Sequence, residues 1–148
     1  MADKQFGVGV IVCVFNRDFS KILLLERNEE KRKKCGADWG NVGGRVKTGE
    51  FLIDACIREA KEETGLRLKP DDFKLIEIKE TPNFTESVHA LHFVYSVAID
   101  ESEKIVLNFG CDNESEDFKW FDLGSLPDKA LDSKEQIIKW KEIAKVND

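Results

Sequence analysis

Residues 43–66 read GGRVKTGEFLIDACIREAKEETGL, a glycine-containing segment followed by an acidic one. Within it, residues 51–64 contain neither Pro nor Gly and carry apolar side chains at positions 52, 55, 56 and 60, the spacing of an amphipathic helix. Gly65 comes next, and a glycine there closes a helix in the left-handed conformation, with Leu66 as the accompanying apolar contact. The stretch therefore predicts a bent loop that leads into one helix with a well-marked end.

Three carboxylates project from one face of this helix, because Glu59, Glu62 and Glu63 stand at i, i+3 and i+4. Arg58 can relieve the charge of Glu62 and leaves Glu59 and Glu63 uncompensated. A divalent cation would compensate them, and clustered oxygen ligands suit Mg²⁺, with Mn²⁺ as a substitute. Because acidic helix faces are more often plain solvated surface, the spacing by itself leaves both readings open.

The loop before the helix adds two features to the acidic face. Gly43 and Gly44 let the backbone bend tightly and approach a ligand or a metal closely, so that a bare carbonyl can become a ligand. Glu50 places a fourth carboxylate near the start of the helix, where the helix dipole favours it and where it can reach the metal cluster or Arg58. The loop and the helix together predict a single acidic site.

The rest of the chain predicts a mixed α/β (α+β) fold, in which helices cover a mixed sheet. Residues 27–40 are polar, carry a basic run at 31–34 and are predicted to form an exposed loop. A candidate capping box at 132–135 precedes a C-terminal helix. Apolar segments predict strands, the first two as a hairpin, at 6–15, 21–26, 73–79, 88–99 and 117–121.

The composition limits the function classes. The chain has 148 residues, 41% of them hydrophobic and 35% charged, which suits one domain over residues 1–148. Its net charge of -6 argues against a nucleic-acid polymer as partner. The sequence contains no run of about 18 apolar residues, the length needed to cross a membrane. The four cysteines are widely separated, which indicates reduced thiols and a cytoplasmic location.

The pattern of the acidic stretch resembles a known signature. It looks like a complete Nudix box, the signature of the MutT-like Nudix hydrolase superfamily. The matching residues are Gly44, then Glu50 after five residues, and then, after seven more, Arg58-Glu59-Ala-Lys-Glu-Glu-Thr-Gly-Leu66. Within the box the one departure is Ala60, where the family usually has a larger aliphatic residue, and just before it Val42 stands where many relatives have Pro ahead of the two glycines. The resemblance implies a Nudix-type α/β/α sandwich with a mixed central sheet, in which the box forms a loop, a helix and a loop.

The resemblance also implies roles for individual residues. The implied metal ligands are the Gly43 carbonyl, Glu59, Glu62 and Glu63, with a further glutamate, Glu114 or Glu116, from a loop before Trp120. Glu114 is favoured because its distance from Trp120 places it in the loop. The implied catalytic residues are Arg58, which orients the carboxylates, Glu59, a candidate base, and Glu62. The substrate-binding candidates are Trp39, Gly44, Arg45 and Glu50, although aromatic residues such as Trp39 also commonly fill the core.

The implied activity is Mg²⁺-dependent hydrolysis of a phosphoanhydride bond in a nucleoside diphosphate derivative. Residues 39–46 are similar to the loop of enzymes that clear oxidised purine nucleotides, which favours a nucleoside triphosphate, normal or oxidised, cleaved to nucleoside monophosphate and pyrophosphate. Pro82 supports an alternative, an ADP-ribose or dinucleotide pyrophosphatase. A third possibility is a non-catalytic nucleotide sensor. The expected partner is a small-molecule nucleotide, neither a nucleic-acid polymer nor a membrane, and the expected assembly is a monomer or homodimer.

Overall fold

The strands of a computed structural model, which describes residues 3–146, form one seven-stranded mixed sheet. The main strand order is β3-β2-β1-β6-β5, with β4 also paired to β1 and β7 to β2. In chain order the elements are β1 Gln5–Asn16, β2 Lys21–Arg27, α1 Glu29–Cys35, β3 Trp39–Gly40, β4 Val42–Arg45, α2 Leu52–Thr64, β5 Lys74–Thr81, β6 Val88–Ile99, β7 Ser115–Asp122 and α3 Lys134–Val146.

Strand β1 organises the sheet because it has a partner on each side. It runs parallel to β6 over its whole length, from Gln5 opposite Val88 to Asn16 opposite Ile99. Its other side pairs antiparallel with β2 near one end and with β4 near the middle, where Ile11 lies opposite Gly43. The register with β4 therefore holds the glycine-containing segment against the centre of the sheet.

Helices cover both faces of the sheet, because successive side chains of β1 point to opposite sides. On one face Val10, Val12 and Val14 are buried in the same core as the small residues of α2, which are Ala55, Cys56 and Ala60. On the other face a second core joins β1 to α3, through Cys13, Phe15, Ile137, Trp140 and Ala144. This arrangement confirms the predicted mixed α/β sandwich.

The prediction of an uninterrupted loop over residues 27–40 is wrong, because α1 occupies its centre. The Asn28 side chain accepts a hydrogen bond from the backbone N–H of Lys31 at 2.8 Å, and Gly36 closes the helix at φ 73°. Acidic residues in the first turn and basic residues in the last suit the helix dipole. No residue of α1 is buried, so the helix leaves no apolar periodicity from which to predict it.

Two smaller differences concern the loop and the C-terminal helix. Gly43 and Gly44 lie in the short strand β4, not in an open bend. The cap of α3 is Ser133, whose hydroxyl accepts from the backbone N–H of Gln136 at 3.1 Å, while Asp132 makes other contacts. Among residues 3–146, no helix has the length and apolar character needed to cross a membrane.

Candidate active site

Helix α2 presents its acidic face because its opposite face is fixed against the sheet. Ala55, Cys56 and Ala60 are fully buried, and the small side chain at 60 lets the helix lie close to the sheet. Gly65 ends the helix at φ 73°, and its N–H donates to the Lys61 carbonyl at 2.9 Å. The predicted helix and its predicted end are both confirmed, and they determine which way the glutamates point.

Arg58 is the centre of the hydrogen-bond network at this site. Its Nε and one terminal nitrogen donate to the two carboxylate oxygens of Glu50, at 2.8 and 3.0 Å. Its other terminal nitrogen donates to Glu59 at 2.7 Å and to Glu62 at 3.3 Å. The Arg45 carbonyl accepts a further bond at 2.9 Å. The expectation that Arg58 leaves Glu59 uncompensated is therefore wrong, because one guanidinium serves three carboxylates.

These contacts shift the pKa values of the two strongest partners. The hydrogen bonds from Arg58 and from the Lys47 backbone lower the pKa of Glu50 from 4.5 to about 2. The same carboxylates raise the pKa of Arg58 above its ordinary value. Glu50 is thus ionised and orients Arg58. The sequence had left open whether Glu50 would reach the metal cluster or Arg58, and in the structure it binds Arg58.

Glu63 is the most enclosed carboxylate of the site, with 8% of its surface exposed. Its Oε2 accepts from the Gly43 N–H at 3.3 Å, and its carboxyl group contacts that of Glu59. Burial, followed by the hydrogen bond with Glu59 and the charge of Glu59, raises the pKa of Glu63 well above the usual range. Two adjoining carboxylates in a buried place need either a shared proton or a cation between them.

The glycine segment fits closely over this pair of carboxylates. A Cβ at Gly44 would lie 2.6 Å from the carboxyl carbon of Glu59, and a Cβ at Gly43 would lie 2.3 Å from the Val10 carbonyl oxygen. Both distances are shorter than any real Cβ contact. Glycine is therefore required at both positions, since a side chain would push β4 away from either β1 or α2.

The two candidates for the further glutamate have different surroundings. Glu116 accepts from Arg32 at 3.1 Å and from the backbone N–H of Glu29 at 2.9 Å, so it anchors the start of α1. Among the described residues, the Glu114 carboxylate has one ion pair, at 3.8 Å with Lys31, and its charge contributes to the raised pKa of Glu63. Of these two glutamates, Glu114 is the one whose charge acts on a carboxylate of α2, that of Glu63.

The donor set suits a divalent ion in its chemistry. The available atoms are all oxygens, and the Glu59 and Glu63 carboxylates already adjoin within a mostly buried site. Within the described range 3–146, no three His, Cys, Asp or Glu side chains stand in a ready ligand arrangement. Glu62 is directed to Arg58 and Glu114 to Lys31, and both side chains are partly exposed, at 30% and 47%.

The structure separates the other substrate-binding candidates. Trp39 packs edge-on against Phe121, with ring centroids 4.9 Å apart, in the core that contains α3. It therefore lies on the face of the sheet opposite the glutamates. The Arg45 side chain is exposed, and only its carbonyl joins the network of Arg58. Gly44 and Glu50 are the two candidates that the structure places directly at the acidic site.

A polar cluster that the sequence did not reveal lies near Trp39. The buried Asp132 carboxylate accepts from the Asn41 amide at 3.0 Å and from Lys79 at 3.3 Å. The Asn41 side-chain oxygen is buried and has no hydrogen-bond partner in the described part of the chain. The three residues are far apart in sequence, so no spacing could have indicated them. The Lys79 ammonium group also lies 5.9 Å from the centroid of the Trp140 ring of α3, so the cluster lies on the α3 side of the sheet.

Comparisons with known proteins agree with this geometry. A model of the NUDIX domain matches residues 5–141. The chain is 36% identical over 126 residues to an ADP-ribose pyrophosphatase of Methanocaldococcus jannaschii, covering 82% of this chain and 68% of that protein. It is 29% identical over 94 residues to the dihydroneopterin triphosphate diphosphatase of Escherichia coli strain K12, covering 62% of this chain and 59% of that protein.

Solved structures show the same fold. The crystal structure of a MutT NUDIX hydrolase from Burkholderia pseudomallei superposes with a TM-score of 0.71 at 23% identity, covering 94% of this chain and 98% of that one. The family match extends over nearly all of the described residues, and the acidic box lies inside it. The chain therefore belongs to the Nudix family and is a Nudix hydrolase.

Proposed function

We propose that this Nudix hydrolase cleaves a nucleoside triphosphate, normal or oxidised, to a nucleoside monophosphate and pyrophosphate, with Mg²⁺ as its cofactor and Mn²⁺ as a substitute. The observation that carries the proposal is the contact between Glu59 and Glu63 beneath Gly43 and Gly44. A buried pair of carboxylates against bare backbone attracts a divalent ion, and a divalent ion attracts a pyrophosphate group.

The residues would divide the work as follows. Glu59, Glu62, Glu63, Glu114 and the Gly43 carbonyl would hold the ion. Mg²⁺ in such a site acidifies water and neutralises charge on the phosphoryl oxygens. Arg58 orients Glu59 and Glu62, and Glu50 in turn fixes Arg58. Glu59 is the candidate base that accepts the proton of the attacking water, because it adjoins both Glu63 and the backbone of Gly44.

The cluster of Asn41, Asp132 and Lys79 supports a nucleoside as the organic part of the substrate. It offers an unpartnered amide oxygen, a carboxylate and an ammonium group, which together match the donors and acceptors at the edge of a nucleobase.

A second candidate function is cleavage of ADP-ribose or of a dinucleotide into two monophosphates. It is favoured by the similarity to the Methanocaldococcus jannaschii protein. Pro82 adds little to it, because this residue lies in the turn between β5 and β6, where its carbonyl accepts from Lys4 at 3.1 Å. A nucleotide sensor without turnover is the third possibility, and the closely placed carboxylates oppose it.

A panel of substrates with product identification tests the proposal. Nucleoside triphosphates should give nucleoside monophosphate and pyrophosphate in Mg²⁺, whereas ADP-ribose as the main substrate would give AMP and ribose 5-phosphate. Glu62→Gln and Glu63→Gln should each abolish most turnover, and unchanged rates would overturn the metal assignment. Glu114→Gln should raise the Mg²⁺ requirement, whereas Glu116→Gln should not. Single-turnover assays with excess enzyme would identify a sensor by the absence of product.

A further inference from the structure

The loop between β6 and β7 crosses the C-terminal end of α2. The backbone N–H groups of Val106, Asn108 and Gly110 donate to the carbonyls of Thr64, Glu63 and Glu62, at 2.8, 3.3 and 3.0 Å respectively. These carbonyls belong to the last turn of the helix, where intrahelical partners run out. The loop is thus fastened along the helix turn that carries two of the candidate metal ligands.

Asn108 joins that turn to the segment that carries Glu114. Its side-chain oxygen accepts from the backbone N–H groups of Glu114 and Ser115, each at 3.1 Å. Its amide nitrogen donates to the Ser115 carbonyl at 2.8 Å. The Cys111 thiol also donates to this oxygen, at 3.9 Å, so the side chain makes four hydrogen bonds, three of them to residues six or seven positions along the chain. The backbone N–H of Asn108 donates to the Glu63 carbonyl.

The Glu114 backbone is fixed from its other side as well. Its carbonyl accepts from the Asn28 N–H at 3.0 Å. The carboxylate is much less restrained, since within residues 3–146 its one ion pair is the 3.8 Å contact with Lys31 and the side chain is 47% exposed. The peptide units on both sides of Glu114 are therefore held in place, whereas its carboxylate is held by one long ion pair among the described residues.

The residue type at 108 is informative because its backbone is left-handed, with φ 57°. Glycine adopts that conformation at least as easily, so backbone geometry alone does not explain an asparagine. Asparagine combines an acceptor for two N–H groups with a donor for a carbonyl, which an aspartate cannot provide. What asparagine contributes here is the side-chain connection to the Glu114 segment.

We infer that Asn108 is a positioning residue of the divalent-metal centre, which sets the distance between Glu114 and the carboxylates of α2. The inference rests on the proposed function, because it requires Glu114 to be a ligand. Residues that orient metal ligands through hydrogen bonds typically affect metal affinity by about 10- to 100-fold. Asn108 acts one step further back, through the backbone of a ligand, so an effect of about tenfold is expected.

The test measures Mn²⁺ binding without nucleotide, from the electron paramagnetic resonance signal of free Mn²⁺, together with the thermal midpoint. Asn108→Gly retains the left-handed backbone and removes the side chain, and it should weaken Mn²⁺ binding about tenfold. Asn108→Asp keeps the acceptor and should retain most of the affinity. If Asn108→Gly does not fold, Asn108→Asp and Asn108→Ser provide the comparison, with Ser expected to bind Mn²⁺ more weakly than Asp.

Asn16 supplies a matched control. It is buried, and its side-chain oxygen accepts from the backbone N–H groups of Ser20 and Lys21 at 3.0 and 2.9 Å, in a turn away from the carboxylates. Asn16→Ala should lower the thermal midpoint and leave Mn²⁺ affinity unchanged. A purely structural role for Asn108 predicts the same behaviour for Asn108→Gly, and that result would overturn the inference.

A double-mutant comparison shows whether Asn108 acts through Glu114. In a Glu114→Gln background, Asn108→Gly should have no further effect on Mn²⁺ affinity, since the residue it positions is already lost. A second tenfold loss there would overturn the inference. Failure of the proposed function looks different, because in that case the parent enzyme would bind no Mn²⁺ or Glu63→Gln would bind it as tightly as the parent does.

Discussion

The Arg58 guanidinium holds both oxygens of the Glu50 carboxylate, with Nε 2.8 Å from one and a terminal nitrogen 3.0 Å from the other. Both side chains are mostly buried, at 20% and 15% exposure. The pair leaves one guanidinium nitrogen for Glu59 and Glu62. Glu50 therefore determines where Arg58 lies, and Arg58 determines where two of the candidate metal ligands lie.

Arg58→Lys tests this relationship. Lysine has no planar fork, so it cannot bind Glu50 at two oxygens and still reach Glu59. The free energy of unfolding should fall by about 1.5–3 kcal/mol, the range for hydrogen bonds to charged groups. Turnover should fall by about 10- to 100-fold, because the glutamates lose their alignment. Urea denaturation and steady-state kinetics measure the two effects.

The exposed Arg67, just beyond the end of α2, provides the control for that substitution. Arg67→Lys should leave both stability and turnover close to those of the parent enzyme. Equal behaviour of the two variants would show that Arg58 has no special position in the network.

Gly44→Ala should remove activity through a single methyl group. The new Cβ would lie 2.6 Å from the carboxyl carbon of Glu59, so β4 or the glutamate must move. We expect turnover to fall about 100-fold, the effect of a displacement of about 1 Å at a reacting centre. Gly124→Ala is the matched control, because nothing lies within 4 Å of its Cβ and it should be neutral. Full activity of Gly44→Ala in an initial-rate assay would contradict the close packing.

Glu63→Gln should stabilise the protein while it inactivates the enzyme. Burial and the neighbouring Glu59 raise the pKa of Glu63 above its ordinary 4.5, so its ionised form opposes folding. The stability that the neutral form provides is present below pH 4.5 and is lost as pH rises through the higher folded pKa. In a chelating buffer at pH 8, the thermal midpoint should therefore be higher for the variant, by about 2–4 °C for each kcal/mol gained.

The pH profile and the response to Mg²⁺ distinguish this account from a general packing effect. The advantage of Glu63→Gln should widen as pH rises and disappear at pH 4. Added Mg²⁺ should raise the midpoint of the parent and have little effect on the variant, because only the parent retains the full ligand set. A variant less stable than the parent at pH 8 would show that the two carboxylates do not repel each other.

Glu77 on β5 should make the fold sensitive to acid. Burial alone would raise its pKa, but hydrogen bonds from Lys139, Trp140 and Gln136 of α3 outweigh burial and hold the pKa below 4.5. Its contribution is present above pH 4.5 and is lost as pH falls through the lower folded pKa. Glu77→Gln should cost about 1–3 kcal/mol at pH 7, because the buried indole N–H loses its charged acceptor.

Thermal midpoints of the parent and Glu77→Gln, measured from pH 7 to pH 3, check this expectation. The difference between them should shrink below pH 4.5. Glu80→Gln is a suitable control, since Glu80 lies on the same strand, is largely exposed and contacts His89 instead of α3. A constant difference across the range would mean that the Glu77 charge does not contribute to stability.

Much of the site could be predicted from the sequence because its signals are local. The periodicity of 51–64 and the glycine at 65 determined α2, and a helix places Glu59, Glu62 and Glu63 on one face in any context. Strand segments rich in Val, Ile and Leu likewise determined β1, β2, β5 and β6 to within a few residues. Helix α1 was not predicted because it is stabilised by its caps and its charged residues and has no buried apolar face that would give a periodic pattern.

By itself the sequence determined the acidic helix and its end, the positions of the main strands and the family to which the chain belongs. Each of these depends on a pattern of residues that are close together in the sequence. Only the tertiary structure decided that Arg58 also binds Glu59 and that Asn41 donates a hydrogen bond to Asp132. It also decided that Glu116 binds Arg32 at 3.1 Å, whereas Glu114 has only a longer ion pair, at 3.8 Å with Lys31, among the described residues. These contacts depend on strand register and helix placement, which bring distant residues to within 4 Å, and no local pattern encodes such a distance.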